Sequence, residues 1–235
     1  MTLWTKERYE AFRQELFSQA EEEYKNFNRK LLCSDLSVIG LRVPFLRKTA
    51  KDIAKKDGIG FLQVCGKDTY EERLLYGLVA AALPIPYEDF LPYCDHYTEE
   101  LVENWAHCDI FCSSVKKILK GHEKDFFEHI GTYLQSENPW EVRVGLVMML
   151  SNFLQEEYMD EVLKRTDAVR SEHYYVRMAQ AWLLATAWAK DRERMLQYVK
   201  SHHLDDWTFR KFIQKCCESY RVSEEDKVFL RSLKE

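Results

Sequence analysis

Residues 138–154 read NPWEVRVGLVMMLSNFL. Asn138-Pro139 marks a helix start, because proline lacks an N–H that the first helical turn does not use. A long apolar run follows it. The opening pattern, an aromatic residue, two spacers and an arginine (Trp140, Arg143), returns along the chain. It appears as YEER (Tyr70, Arg73), WAHC (Trp105, Cys108), YYVR (Tyr174, Arg177) and WTFR (Trp207, Arg210). The aromatics stand 35, 35, 34 and 33 residues apart, and four of the five units carry Arg at the fourth position. Spacing this regular is read as a repeat.

Each period holds two helical patterns. Signature helices are predicted over 70–83, 104–120, 139–154, 174–189 and 206–221. Between them lie 88–99, 123–135, 157–168, 191–202 and 223–234, which are amphipathic and richer in acid. Ser223-Glu224-Glu225-Asp226 has the form of a cap followed by an acidic first turn. Further helices are expected over about 5–27 and 43–56, the second opened by Val43-Pro44, and a short segment over 58–66 is bounded by glycines. A two-helix unit of this period cannot bury its faces alone, so units stack around one continuous core. The expected fold is all-α: a curved α-solenoid of HEAT-like pairs forming a single domain over 1–235. TPR repeats share the period, but their small-residue pattern is not evident.

Composition agrees. Hydrophobic residues make up 46% and aromatics 14%, which excludes a disordered chain. Eight Gly and five Pro are few, favouring helices with short connections over a strand-rich sandwich. The start MTLWTKERYEAF has no apolar core of signal-peptide length, and stretches such as YGLVAAALPIP are too short to span a bilayer. A soluble cytoplasmic protein without membrane attachment is expected. Seven cysteines with no C-x-x-C pair read as reduced, mostly buried thiols.

Net charge is −5, yet the charges segregate. Signature helices carry Lys116, Lys117, Lys120, Arg143, Arg177, Arg210, Lys211, Lys215 and Arg221. The helix after Pro44 adds Arg47, Lys48, Lys51, Lys55 and Lys56. Acids such as Glu99, Glu156, Asp160 and Glu224 lie in the intervening helices and turns. If the signature helices line one side, that side is basic although the protein is acidic, as a polyanion binder requires. Ordinary solvated helix faces would account for the same pattern.

One repeat departs from the rest. In ENWAHCDIFCSSVKKILKG (103–121) the Arg position is Cys108 and the next residue is Asp109, where the other units have Leu74, Val144, Met178 and Lys211. Asp109 falls four residues after Trp105, on the same helical face. A carboxylate beside a tryptophan is costly without a partner, so it marks either a site or an ion pair, with Arg143 of the next repeat as the candidate partner. Trp182 lies in the unit beyond. His107, Cys108 and Cys112 make a metal site imaginable, but no second ligand cluster stands at metal spacing, and none is assigned. Cys216-Cys217 reads as core thiols and His202-His203 as a helix end. No Gly-rich phosphate loop, G-x-S-x-G or H-E-x-x-H is present.

The whole chain resembles the AlkD-type DNA alkylation-repair proteins, HEAT-like-repeat DNA glycosylases, from GLRVPFLRKTAKDIAKK through YEERLLYGLVAAAL, ENWAHCDIFCSS, NPWEVRVGLVMMLSNFL and HYYVRMAQAWLLATAW to QKCCESYRV. The resemblance implies removal of N3- and N7-alkylated purines from duplex DNA, in base excision repair, without metal or cofactor. It implies a site built from Trp105 and Asp109, Arg143 and Trp182, with an N-terminal tyrosine that the stretch around Phe27 does not supply. Asp109 would be the electrostatic catalyst, the two tryptophans aromatic walls and Arg143 a phosphate clamp. Arg47, Lys48, Lys116, Lys117, Arg177, Arg210 and Lys211 would contact the DNA. The expected protein is a monomer, cytoplasmic and associated with the bacterial nucleoid when acting on alkylated double-stranded DNA. Two rival functions fit the same scaffold: a non-catalytic binder of damaged or branched DNA, and a protein-binding solenoid.

Overall fold

The computed structural model describes residues 3–233. Among them lie thirteen α-helices and no strand, only one isolated bridge between Ser37 and Thr69. The helices are α1 (Lys6–Ser18), α2 (Glu22–Leu32), α3 (Val43–Val64), α4 (Tyr70–Ala80), α5 (Tyr87–His96), α6 (Trp105–Cys112), α7 (Glu123–Leu134), α8 (Pro139–Asn152), α9 (Glu156–Ala168), α10 (Tyr174–Trp188), α11 (Arg192–Tyr198), α12 (Asp206–Glu218) and α13 (Glu224–Ser232). A π turn (Tyr97–Leu101) extends α5, and a 3₁₀ turn (Val115–Lys117) follows α6. The chain divides into two compact units, with the boundary between Glu123 and Lys124.

Helix starts follow local chemistry. The Asn138 side chain accepts from Trp140 N at 3.0 Å, with Pro139 in the first turn of α8. The Ser223 hydroxyl accepts from Asp226 N at 3.1 Å at the start of α13. Thr69 and Glu72 form a reciprocal capping box on α4. Each such cap supplies an acceptor to N–H groups that the helix itself leaves unpaired.

In the first unit α3 packs on α4 and α4 on α6, with α5 against α4. In the second, α10 lies between α8 and α12, with α9 and α11 on α10 and α13 on α12. Signature helices therefore contact one another and intervening helices cover them. Leu46, Phe61, Leu74, Val79, Phe90 and Phe111 fill the first core; Phe126, Val144, Met148, Leu184, Trp188 and Phe212 fill the second. Burying a side chain of this size contributes about 1.5–3 kcal/mol.

Three expected elements differ. The stretch 5–27 is broken into α1 and α2, because Glu21 N turns away to donate to the Gly40 carbonyl (3.0 Å). The glycine-bounded segment 58–66 is the second half of α3, bent at Asp57 (φ −158°, ψ 66°), whose carboxylate caps Gly60 N at 3.1 Å. Gly58 serves close packing there: a Cβ on it would stand 2.4 Å from Leu83 Cδ2. The helix predicted over 104–120 stops at Cys112. The Ser113 and Ser114 hydroxyls donate to the Ile110 carbonyl (2.9 and 2.6 Å), and Ser114 N bonds Phe111 O in a tighter turn, so the α-helical ladder ends. The last predicted helix, 223–234, is found as α13; residue 234 lies outside the described residues.

The loop between α2 and α3 is stapled by one side chain. Glu71, fully buried on α4, accepts from the backbone N–H of Ile39 (2.8 Å), Gly40 (2.8 Å) and Leu41 (3.1 Å). A buried carboxyl with three donors is satisfied where an unpaired one would be costly.

Candidate active site

The helix carrying Trp105 and Asp109 is only two turns long, and its setting is made by its neighbours. Asn104 caps it, accepting from His107 N at 3.0 Å. His107, fully buried, stacks on Tyr70 of α4 with ring centroids 4.8 Å apart. Its Nε2 lies 2.9 Å from the Tyr70 carbonyl and its Nδ1 3.0 Å from the Asn104 amide nitrogen. The neutral ring with hydrogen on Nε2 satisfies both contacts, donating to the carbonyl and accepting from the amide. Burial, with the nearby Arg73 charge adding to it and the Tyr70 hydrogen bond opposing, pushes the imidazole down to about 4.

On this frame the Trp105 indole donates from Nε1 to the Leu31 carbonyl at the end of α2 (2.9 Å), which fixes the ring while leaving it half-buried. Asp109 follows one turn later, also half-buried, whereas Cys108, Phe111 and Cys112 turn inward. Burial first, then the neighbouring Cys108 and the Asp109 charge, raise the Cys112 thiol well above its usual range. Cys112 is thus an inert core thiol, and Cys108 is fully buried beside it. Among the described residues no three His, Cys, Asp or Glu side chains group closely enough to hold a metal.

In the second unit Arg143 is 5% exposed, donates from Nη1 to the Tyr175 carbonyl (2.7 Å) and lies 5.8 Å from the Tyr175 ring. It braces α8 against α10, with little surface to offer a phosphate. Trp182 of α10 is 38% exposed between buried neighbours Ala181 and Leu183, an unusual position for a ring of that size in a helix core. Arg177 is committed within the fold: it pairs with Asp205, reaches Glu172 (3.3 Å) and Thr208 Oγ1 (3.3 Å), and covers the Trp207 ring at 4.6 Å. Lys211 bonds Gln214 (2.9 Å), its Nζ 5.5 Å from the centre of that ring, and Arg210 is exposed.

In the first unit Arg47 of α3 crosses to the end of α6, donating to Ser114 Oγ (2.7 Å) and Ser113 Oγ (3.3 Å). Half-burial lowers this guanidinium from its usual range, since its partners there are hydroxyls rather than a carboxylate. Lys116 and Lys117 lie on the 3₁₀ turn beyond it, and Lys48 is exposed on α3. Sequence reasoning missed the supporting contacts. Nothing in the pattern points to the Leu31 carbonyl, whereas Asn104 sits at a recognisable cap position.

An all-helical protein with a fixed tryptophan–carboxylate pair on a short helix and cations beside it is the class this geometry defines. The chain belongs to the DNA alkylation repair enzyme family, whose model matches residues 12–215 and so spans both units. No curated protein matches the sequence. Family membership places the protein in the repair of alkylated DNA, with DNA as its substrate.

Proposed function

We propose that the protein is a monofunctional DNA glycosylase that removes N3- and N7-alkylated purines from duplex DNA. The observation that carries this reading is the pair on α6: Trp105 and Asp109 one turn apart, half-exposed, on a helix anchored through Asn104, His107 and the Leu31 carbonyl. Within each unit the helix pairs would stack as HEAT-like repeats, and the protein would act as a cytoplasmic monomer.

The chemistry suits these groups. An alkylated purine cation is already a good leaving group. As the C1′–N bond breaks, its electron pair leaves with the base, neutralising it, and positive charge develops on the sugar. Asp109 stabilises that charge and orients a water, whose oxygen bonds to C1′ while its proton passes to solvent. An abasic site remains. The Trp105 face attracts the cation by roughly 0.5–2 kcal/mol.

The test is release of 3-methyladenine or 7-methylguanine from methylated duplex DNA. Release above the spontaneous rate is expected, with Asp109→Asn lowering it by about 100-fold or more, the scale of removing one fixed electrostatic group. Release at the spontaneous rate by the unaltered protein refutes the proposal. A second reading, a non-catalytic binder of damaged DNA, is favoured by the burial of Arg143 and would show binding without release.

A further inference from the structure

The signature arginines share one position in the repeat and, where a further signature helix follows, one task. Arg73 of α4 donates from Nη1 to Glu103 Oε2 at 3.1 Å, reaching the residue that precedes the Asn104 cap of α6. Arg143 of α8 donates to the Tyr175 carbonyl at the start of α10 (2.7 Å). Arg177 of α10 pairs with Asp205, the cap of α12. Each guanidinium reaches the start of the next signature helix. Glu103 and Asp205 hold the same register, two residues before Trp105 and Trp207. Arg210 of α12 has no signature helix after it among the described residues, and it is exposed. The fourth-position arginine is thus a brace between neighbouring repeats.

The first brace ends at the helix that carries Trp105 and Asp109. Both oxygens of the Glu103 carboxylate are engaged, Oε2 by Arg73 and Oε1 by the Ser34 hydroxyl from the loop after α2. Arg73 is itself fixed, because its Nε donates to the Lys67 carbonyl ahead of α4 (2.8 Å). Three successive residues then tie the entry of α6: Glu103 to α4 and the loop, Asn104 to His107, and Trp105 to the Leu31 carbonyl. A helix of eight residues does not sustain itself, so its axis follows these ties. The Arg73 and Glu103 side chains are 21% and 32% exposed. An ion pair so open to solvent adds little to stability, and what it supplies here is direction.

We propose that Arg73 and Glu103 are positioning residues for the Trp105–Asp109 pair: their brace sets the angle at which α6 presents the indole and the carboxylate to substrate. The kinetic side of the inference rests on the proposed glycosylase reading, and its structural side stands without it. The two side chains act through the backbone at the entry of α6 rather than by touching the damaged nucleotide. Misplacing a reacting group by about 1 Å costs up to about 100-fold in rate, so a modest swing of α6 is enough to be read.

The experiment compares release of 7-methylguanine from methylated duplex DNA by the full chain, Glu103→Gln, Arg73→Gln and the double variant. Each single change is expected to lower kcat by about 10-fold with KM kept within about twofold, since geometry is lost and binding is not. The double variant should be no slower than the slower single one, because the two side chains act as one unit. Asp205→Asn weakens the matching brace in the other unit and is expected to leave kcat unchanged. Unchanged kcat in both single variants, multiplied losses in the double one, or an equal loss in Asp205→Asn overturns the proposal and leaves the glycosylase reading standing. If the unaltered protein releases no base, that reading falls, and the brace is read by amide hydrogen exchange. Exchange over residues 105–112 about 10-fold faster in Glu103→Gln than in the unaltered protein, with Asp205→Asn unchanged there, supports the brace. Equal exchange in all three overturns it.

Discussion

Acidification is expected to unfold the protein in part through one buried histidine. His107 is fully enclosed, and burial holds its imidazole at about 4, against 6.5 for a histidine in the unfolded chain. Between those values the unfolded chain binds a proton that the folded chain refuses, so stability rises with pH across this window and falls as pH drops. At pH 4.5 the loss relative to pH 7.5 is about 2.5 kcal/mol, a large share of a typical 5–15 kcal/mol. The assay is urea unfolding of the natural protein and His107→Gln at both pH values. Glutamine does not titrate, and every other group cancels in the difference between the two proteins. At pH 7.5 the variant is expected to be less stable by about 1–3 kcal/mol, because a buried hydrogen-bonding partner is lost. At pH 4.5 that deficit should shrink by about 2.5 kcal/mol or change sign. A deficit that stays constant between the two pH values refutes the reasoning, since it would mean that the ring admits a proton without cost.

Two other perturbations read the fold directly. Gly58→Ala places a methyl group 2.4 Å from Leu83 Cδ2, and is expected to destabilise by about 1–3 kcal/mol as the buried Leu83 side chain is displaced, measurable as a lowered thermal midpoint. Despite some desolvation, the hydrogen bonds and charge from Arg177 and the bonds from Thr208 hold the Asp205 carboxyl down at about 2. Its contribution should be fully present above about 3.8 and lost as pH falls through about 2, and Asp205→Asn should abolish that part of the acid transition.

Much of this was legible because helix starts are local. Asn138-Pro139 and Ser223 announce their caps within three residues, and the spacing of the signature aromatics orders the helices that pack on one another. The break between α1 and α2 carries no Gly or Pro; it is made by a hydrogen bond to a carbonyl nineteen residues away, at Gly40, which periodicity does not contain. The early stop of α6 was written in Ser113 and Ser114, but two hydroxyls compete poorly for notice against an apolar pattern that runs on through Val115 and Leu119. Asp109 stood out because every sister repeat lacks an acid at its position. Arg143 did not reveal its burial, because an arginine at a repeat's fourth position serves a helix contact or a phosphate equally well.

The Glu71 staple gives this candidate site a way to change from behind. The ring of Trp105 takes its orientation from the Leu31 carbonyl, and Leu31 leads into the loop whose backbone Glu71 holds. Ser34 of that loop also bonds the Glu103 carboxylate just before α6, so substitutions along residues 33–42 would bear on the seat of Trp105 and on the entry to α6 together. If the proposed site does act on damaged bases, drift in this loop would alter its preference among them by way of the Trp105 ring, without any change at Asp109.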